Sequence, residues 1–215
     1  PDEVHAMMEI VTDAIVADHR RRGEKGWVRC VPDRTGTYNI LPTWRHLCSY
    51  LPDGFADRPR RISDERPYVS AQSSSGLGPR MYRKFVHAFN ARIAELYADG
   101  NVYYHGCEQL DFKYPVLKTL PNLRRMHVSP WSSVEKAVSV FSDMRDTVFL
   151  EVHAHPGKVF FGWDGEQMRE EIAGRIAQAD GMRLDVNLSD IHSVNGDPGL
   201  LATWARAAKR AVGAD

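Results

Sequence analysis

Cysteine is scarce in this chain. Three residues, Cys30, Cys48 and Cys107, are too few and too widely spaced for a disulfide framework, which points to a reducing, cytoplasmic setting. An excess of one charge is missing as well. Lys+Arg and Asp+Glu both number 28, so nothing in the balance calls for nucleic acid or an anionic membrane. No apolar run approaches the roughly 20 residues that span a bilayer. Internal repeats and low-complexity tracts are absent. The chain opens on the polar, helix-like "PDEVHAMMEI" rather than on a signal-peptide pattern. It also lacks an initiator Met, so Pro1 reads as a processed end or as a point inside a longer gene. What is present is ordinary: 43% hydrophobic and 26% charged residues over 215 positions suit one domain with a sizeable core.

Two hydrophobic periods alternate along the chain. Asp2 and Glu3 start a helix, and Val4, Met7, Met8, Val11, Ala14 and Ile15 recur at helical spacing. The polar run "DHRRRGEKG" is expected to end it. Trp27–Val31 reads as a short strand. Residues 32–67 have no clear period, carry five Pro and read as an irregular insertion or lid within a single domain spanning 1–215. A strand is expected over Tyr68–Gln72, then a helix over Leu77–Ala98 with Met81, Phe85, Phe89, Ile93 and Leu96 on one face.

A regular strand–helix rhythm follows. Strands are expected at Val102–His105, Leu123–Ser129, Thr147–Val152 and Arg183–Leu188. Helices are expected at Tyr114–Leu120, Ser132–Phe141, Gly165–Ala179 and Pro198–Val212. Ser132 with Glu135 reads as a capping box, and Asp197 before Pro198 as a helix start. The alternation means βα units and a parallel sheet of the α/β class. Units of about 25 to 35 residues suit a TIM-type (β/α)8 barrel. Only about six strands are counted where a closed barrel needs eight. The barrel therefore looks incomplete at its N-terminus, and an open parallel sheet is the alternative.

In parallel βα folds the chemistry sits at the carboxyl ends of the strands. Those ends gather Gln72, His105, Cys107, Glu108, His153, His155, Asp190 and His192 on one expected rim. His105 and Cys107, two apart, offer imidazole and thiolate, the natural ligands of zinc. His153 and His155 serve equally well as hydrogen-bonders to a carboxylate substrate. His192 beside Asp190 reads as an oriented general base. The bland alternative is that His-x-Cys is a chance spacing around a small buried Cys. His5, His19, His46, His87 and His127 have no local partner pattern and read as ordinary. Cys30 and Cys48 are given no role.

The blocks "YYHGCEQL", "LPNLRRMHVSPWSSVEKAV", "VFLEVHAHPG" and "LSDIHSVNGDPGLLATWARAAKRAV" together resemble the C-terminal part of the uroporphyrinogen decarboxylase-like superfamily, closest to its methyltransferase-type members. The likeness runs from about Tyr68 to Val212. It implies a (β/α)8 barrel whose first part this chain lacks. Corrinoid-linked members carry a His-x-Cys and a much later second Cys that together bind zinc. His105 and Cys107 match the first half of that pattern. Asp190 and His192 stand where the second Cys is due, so Asp190 or His192 is the implied third ligand. Gln72 and Glu108 are the candidate cofactor contacts.

The resemblance thus implies a zinc-dependent methyltransferase working with cobalamin on a partner corrinoid protein, with His105, Cys107 and Asp190 as metal ligands. A small-molecule substrate is expected, and association into a homo-oligomer through unpaired sheet edges. The first alternative is a metal-free decarboxylase of a carboxylated tetrapyrrole, in which His153, His155 and His192 bind carboxylates and move protons. The second is a non-catalytic barrel that serves as a binding module.

Overall fold

The computed structural model describes residues 2–27, 61–62, 67–97, 102–188 and 191–213. All of the expected strand at Trp27–Val31 except Trp27, nearly all of the 32–67 insertion, Asp190, Cys30, Cys48 and His46 lie outside them. The rest forms an α/β arrangement with five strands: β1 Tyr68–Ser70, β2 Val102–His105, β3 Leu123–Val128, β4 Phe149–His153 and β5 Leu184–Asn187. They make one sheet in the order β1-β2-β3-β4-β5. The pairings β1–β2 and β4–β5 are parallel. Each strand returns through helical crossovers, as parallel pairing requires. The strand positions match the sequence reading to within two residues at each end. No helix among the described residues is long and apolar enough to cross a membrane.

The chain divides into two compact units, Pro1–His105 with Pro115–Arg125, and Gly106–Tyr114 with Met126–Asp215. In the first, helix α1 covers Asp2–Glu24. It runs through the Arg cluster rather than stopping there, because Arg is a good helix former and suits the last turn. A Schellman motif ends it. Gly26 takes φ +66°, the Trp27 amide donates to the Arg22 carbonyl at 2.8 Å, and the Gly26 amide donates to the Gly23 carbonyl at 3.1 Å. The apolar face expected to be buried is open: Met7 is 57% exposed and Val11 50%. The face that packs is polar, with Thr12, His19 and Arg22 buried. Arg92 of α3 (Ala88–Ala94) reaches Glu9 and Asp13 of α1.

The expected long helix over 77–98 is broken into α2 (Pro79–Tyr82), a π-helical stretch Arg83–His87, and α3. An extra residue per turn advances the face by about 100°. This explains why Met81 is 44% exposed while Phe89 is buried.

Helix α4 covers Tyr114–Leu117. In the second unit, helix α5 (Val134–Phe141) is capped by Ser133, whose hydroxyl accepts from the Lys136 amide. Ser132, expected as the cap, does something else. It is buried, accepts from the Leu110 amide at 2.9 Å and meets the Ser129 hydroxyl at 3.0 Å. Helix α6 (Pro156–Phe161), not expected from sequence, starts on Pro156 and buries Val159 and Phe160. Helix α7 (Gly165–Gln178) carries a full capping box of Asp164 and Gln167. Helix α8 covers Gly199–Ala211, with Pro198 rather than Asp197 at its N-cap position, while the Gly199 amide donates to Asp197 Oδ1 at 2.8 Å. Val159, Phe160, Met168 and Ala207 form a core cluster with Ala154.

Candidate metal centre

Strands β3 and β4 are buried on both faces, as parallel strands normally are. Such strands usually read as continuous apolar runs. These do not. In β4, Leu150 and Val152 alternate with Glu151 and His153, and all four are at most 2% exposed. In β3, Met126 and Val128 flank His127, which is fully buried. Alternation with period two puts Glu151 and His153 on one face of β4. His127 joins them from β3.

The three side chains converge. One ligand atom from each of His127, Glu151 and His153 lies within 4.8 Å of the other two. The His127 and His153 rings stack at 4.0 Å between centroids with a 52° tilt. His153 Nε2 and Glu151 Oε1 share a 2.7 Å hydrogen bond. The hydrogen bond ties one ring nitrogen of His153 to the carboxylate and so holds the ring in one orientation.

The donor set suits a divalent cation of the zinc or iron type. Two imidazoles and one carboxylate form the ligand set of several catalytic metal sites. Ligands about 2.1 Å from a tetrahedral ion lie about 3.4 Å apart, so side-chain rotations of about an ångström would close the set. A cation would take the place of the shared proton between His153 and Glu151. Three protein ligands would leave a coordination position for a small molecule.

The residues singled out from sequence fall in several surroundings. His153 lies in the cluster, though as a ligand candidate beside Glu151 rather than alone. His105 ends β2, is 6% exposed, and shares a 2.9 Å hydrogen bond between Nδ1 and the Tyr103 hydroxyl. Cys107 is half-buried and forms no disulfide among the described residues. Glu108 is an anchor of its loop: Oε1 accepts from the fully buried Lys113 at 3.2 Å, and its carbonyl accepts from Ser129. Its carboxylate folds over Gly106, where an added Cβ would come within 2.8 Å of Oε2. His155 precedes α6, half-buried and edge-on to Trp131 at 4.8 Å. Gln72 sits exposed in the turn after β1, and His192 is exposed.

His127 and Glu151 carry no weight in the strand-end reading, because both lie inside strands. The signal for them was the polar alternation within "RMHV" and "LEVH", in strands that otherwise read as fully buried. A separate cleft of about 480 Å³ lies between the start of α5 and one face of α7, lined in part by Ser133, Glu171 and Arg175. None of the site residues expected from sequence lines it, though Ser132, expected as a cap, does.

No protein-family model matches this chain, and no curated protein matches it.

Proposed function

We propose that this protein is a metal-dependent enzyme in which His127, Glu151 and His153 hold a divalent cation, zinc in the first instance. One observation carries the proposal. Three side chains of a catalytic ligand set, from the neighbouring strands β3 and β4, lie buried together with their donor atoms within 4.8 Å. Burial of a carboxylate and two imidazoles has a desolvation cost that a bound cation offsets directly. The parallel βα arrangement supports a TIM-type barrel. The resemblance of "YYHGCEQL" and its companion blocks extends the reading to a corrinoid-linked methyltransferase of the uroporphyrinogen decarboxylase-like superfamily. In that extension His105 and Cys107 handle the methyl acceptor or a second metal position, and Asp190, His155 and His192 handle protons. Gln72 and Glu108 are the candidate cofactor contacts in that extension.

Elemental analysis tests the core of the reading. Purified protein is expected to hold close to one metal ion per chain after zinc supplementation. His127→Ala and His153→Ala should each lose it, while Cys107→Ser should keep it. Metal lost on Cys107→Ser and kept on His153→Ala would move the site to the His-x-Cys pair. No metal in any preparation would refute it. Demethylation of methylcobalamin in the presence of a thiol tests the methyl-transfer extension.

The 2.7 Å bond from His153 to Glu151 favours a second reading. A carboxylate-oriented imidazole is a general acid–base pair that needs no metal. That fits a decarboxylase acting on a carboxylated tetrapyrrole. Turnover of such a substrate by metal-stripped protein separates the two.

A further inference from the structure

The β4–β5 register continues the polar face one strand further. Glu151 pairs with Asp185 and His153 with Asn187. Partners across a parallel pair point to the same side of the sheet, about 4.8 Å apart. The Asn187 side chain is therefore the next neighbour of His153 on the face that carries the cluster. Its carbonyl is already committed to the Ala154 amide at 2.9 Å. Its side-chain Nδ2 is buried and has no hydrogen-bond partner among the described residues. A buried N–H donor left unpaired is costly and uncommon, and it calls for an explanation.

We propose that Asn187 is the ligand-orienting donor of the metal centre, and that the ligand is a small carboxylate. This rests on the metal reading above. The charge balance sets the ligand's sign. A divalent cation, one carboxylate from Glu151 and two neutral imidazoles sum to one positive charge. The open position then favours an anion. The position of Asn187 sets the ligand's shape. An N–H donor beside a cation suits a group with two acceptor oxygens, one for the ion and one for the amide. Asp185 sits two residues deeper along β5, so the extra negative charge lies behind Glu151 and the amide lies nearer the carboxyl ends of the strands. No covalent step is involved.

Cobalt substitution gives the test, because cobalt(II) absorption reports both occupancy and ligand exchange. The probe is acetate, titrated into cobalt-loaded full-length protein. Wild type is expected to bind one cobalt and to change its visible spectrum with acetate. Asn187→Ala should keep the cobalt and bind acetate about three- to tenfold more weakly, the worth of one hydrogen bond. Asn187→Asp, which puts a negative charge where the donor stood, should weaken it further. Asn187→Leu should not lower the thermal midpoint of the metal-free protein, since no intramolecular bond is lost; a clear fall would assign Asn187 a structural role and overturn the proposal. Equal acetate affinity in wild type and Asn187→Ala, with cobalt bound in both, also overturns it and leaves the metal centre standing. Failure of wild type to bind cobalt overturns the metal centre itself, and this inference with it.

Discussion

Glu151→Gln separates a metal site from a hydrogen-bonded pair, because the two make different contributions to stability. Glu151 is fully buried, its neighbour His153 is 2% exposed, and the bond between them is 2.7 Å. Gln keeps the size and one acceptor oxygen but removes the charge. Without metal, the change replaces a charge-assisted hydrogen bond with a neutral one, a loss of about 1 kcal/mol. The new amide N–H₂ also needs an acceptor, and if it finds none the loss rises to about 1–3 kcal/mol. With zinc at about 100 times its dissociation constant, wild type gains about 2.7 kcal/mol from binding. At about 2–4 °C per kcal/mol for a chain of this size, that gain raises the thermal midpoint by about 5–11 °C. The variant loses its anionic ligand and with it most of that rise. The assay is thermal unfolding of both proteins in EDTA and in excess zinc. The difference of differences isolates the metal term from the hydrogen-bond term. Equal zinc-induced shifts in wild type and Glu151→Gln would refute the reasoning.

Burial of His87, with the Arg83 charge adding to it, holds its imidazole below the ordinary value of 6.5, so the unfolded chain takes up the proton first as pH falls. The sign follows: this contribution to stability is complete above about pH 6.5 and declines as pH drops through and below that value. Urea midpoints measured at about pH 7.5 and about pH 5.5 should therefore fall less in His87→Gln than in wild type. Gly106→Ala should destabilise by about 1–3 kcal/mol in chemical unfolding, because its methyl meets Glu108 Oε2 at 2.8 Å and Leu110 Cδ2 at 3.0 Å. Asp164→Ala removes both capping bonds at the start of α7 and should cost about 1 kcal/mol by the same measurement, with metal content unchanged. Phe141→Ala empties a fully buried site packed edge-on against Tyr114 at 5.8 Å; about 3–5 kcal/mol of stability should go with it.

Much of the fold was legible in the residues. The strand at 102–105 was legible because Val102, Tyr103 and Tyr104 are β-branched or aromatic and Gly106 follows, and the turn residues Pro121-Asn122 and Asp180-Gly181 mark where β3 and β5 begin. Asp197 before Pro198 gave the start of the last helix. Where the reading differs, the cause is tertiary. Ser132 and Ser133 are equally good caps in isolation, and the loop after β2 decides between them by engaging Ser132. The π-helical stretch at Arg83–His87 has no marker in a single sequence, and it rotates Met81 out of the face predicted for it. The site was half legible. His153 stood out because it ends a strand. His127 and Glu151 did not, since strand-end reasoning looks at loops, and a His or Glu between two apolar residues is invisible until burial on both faces is known.

The origin of the three ligand side chains has a consequence for how this protein could diversify. All of them stand on neighbouring strands, and none is supplied by a loop. Loops tolerate insertion and replacement far better than ladder-bonded strands do. The chelating unit reduces to a portable pattern, a His on one strand and Glu-x-His on the next, whose spacing is set by the backbone ladder. Recombination of the segments that follow β3 and β4 would thus exchange what the protein recognises while leaving the proposed His127, Glu151 and His153 ligand set intact. A library that randomises those segments should return variants altered in selectivity yet still loaded with the ion.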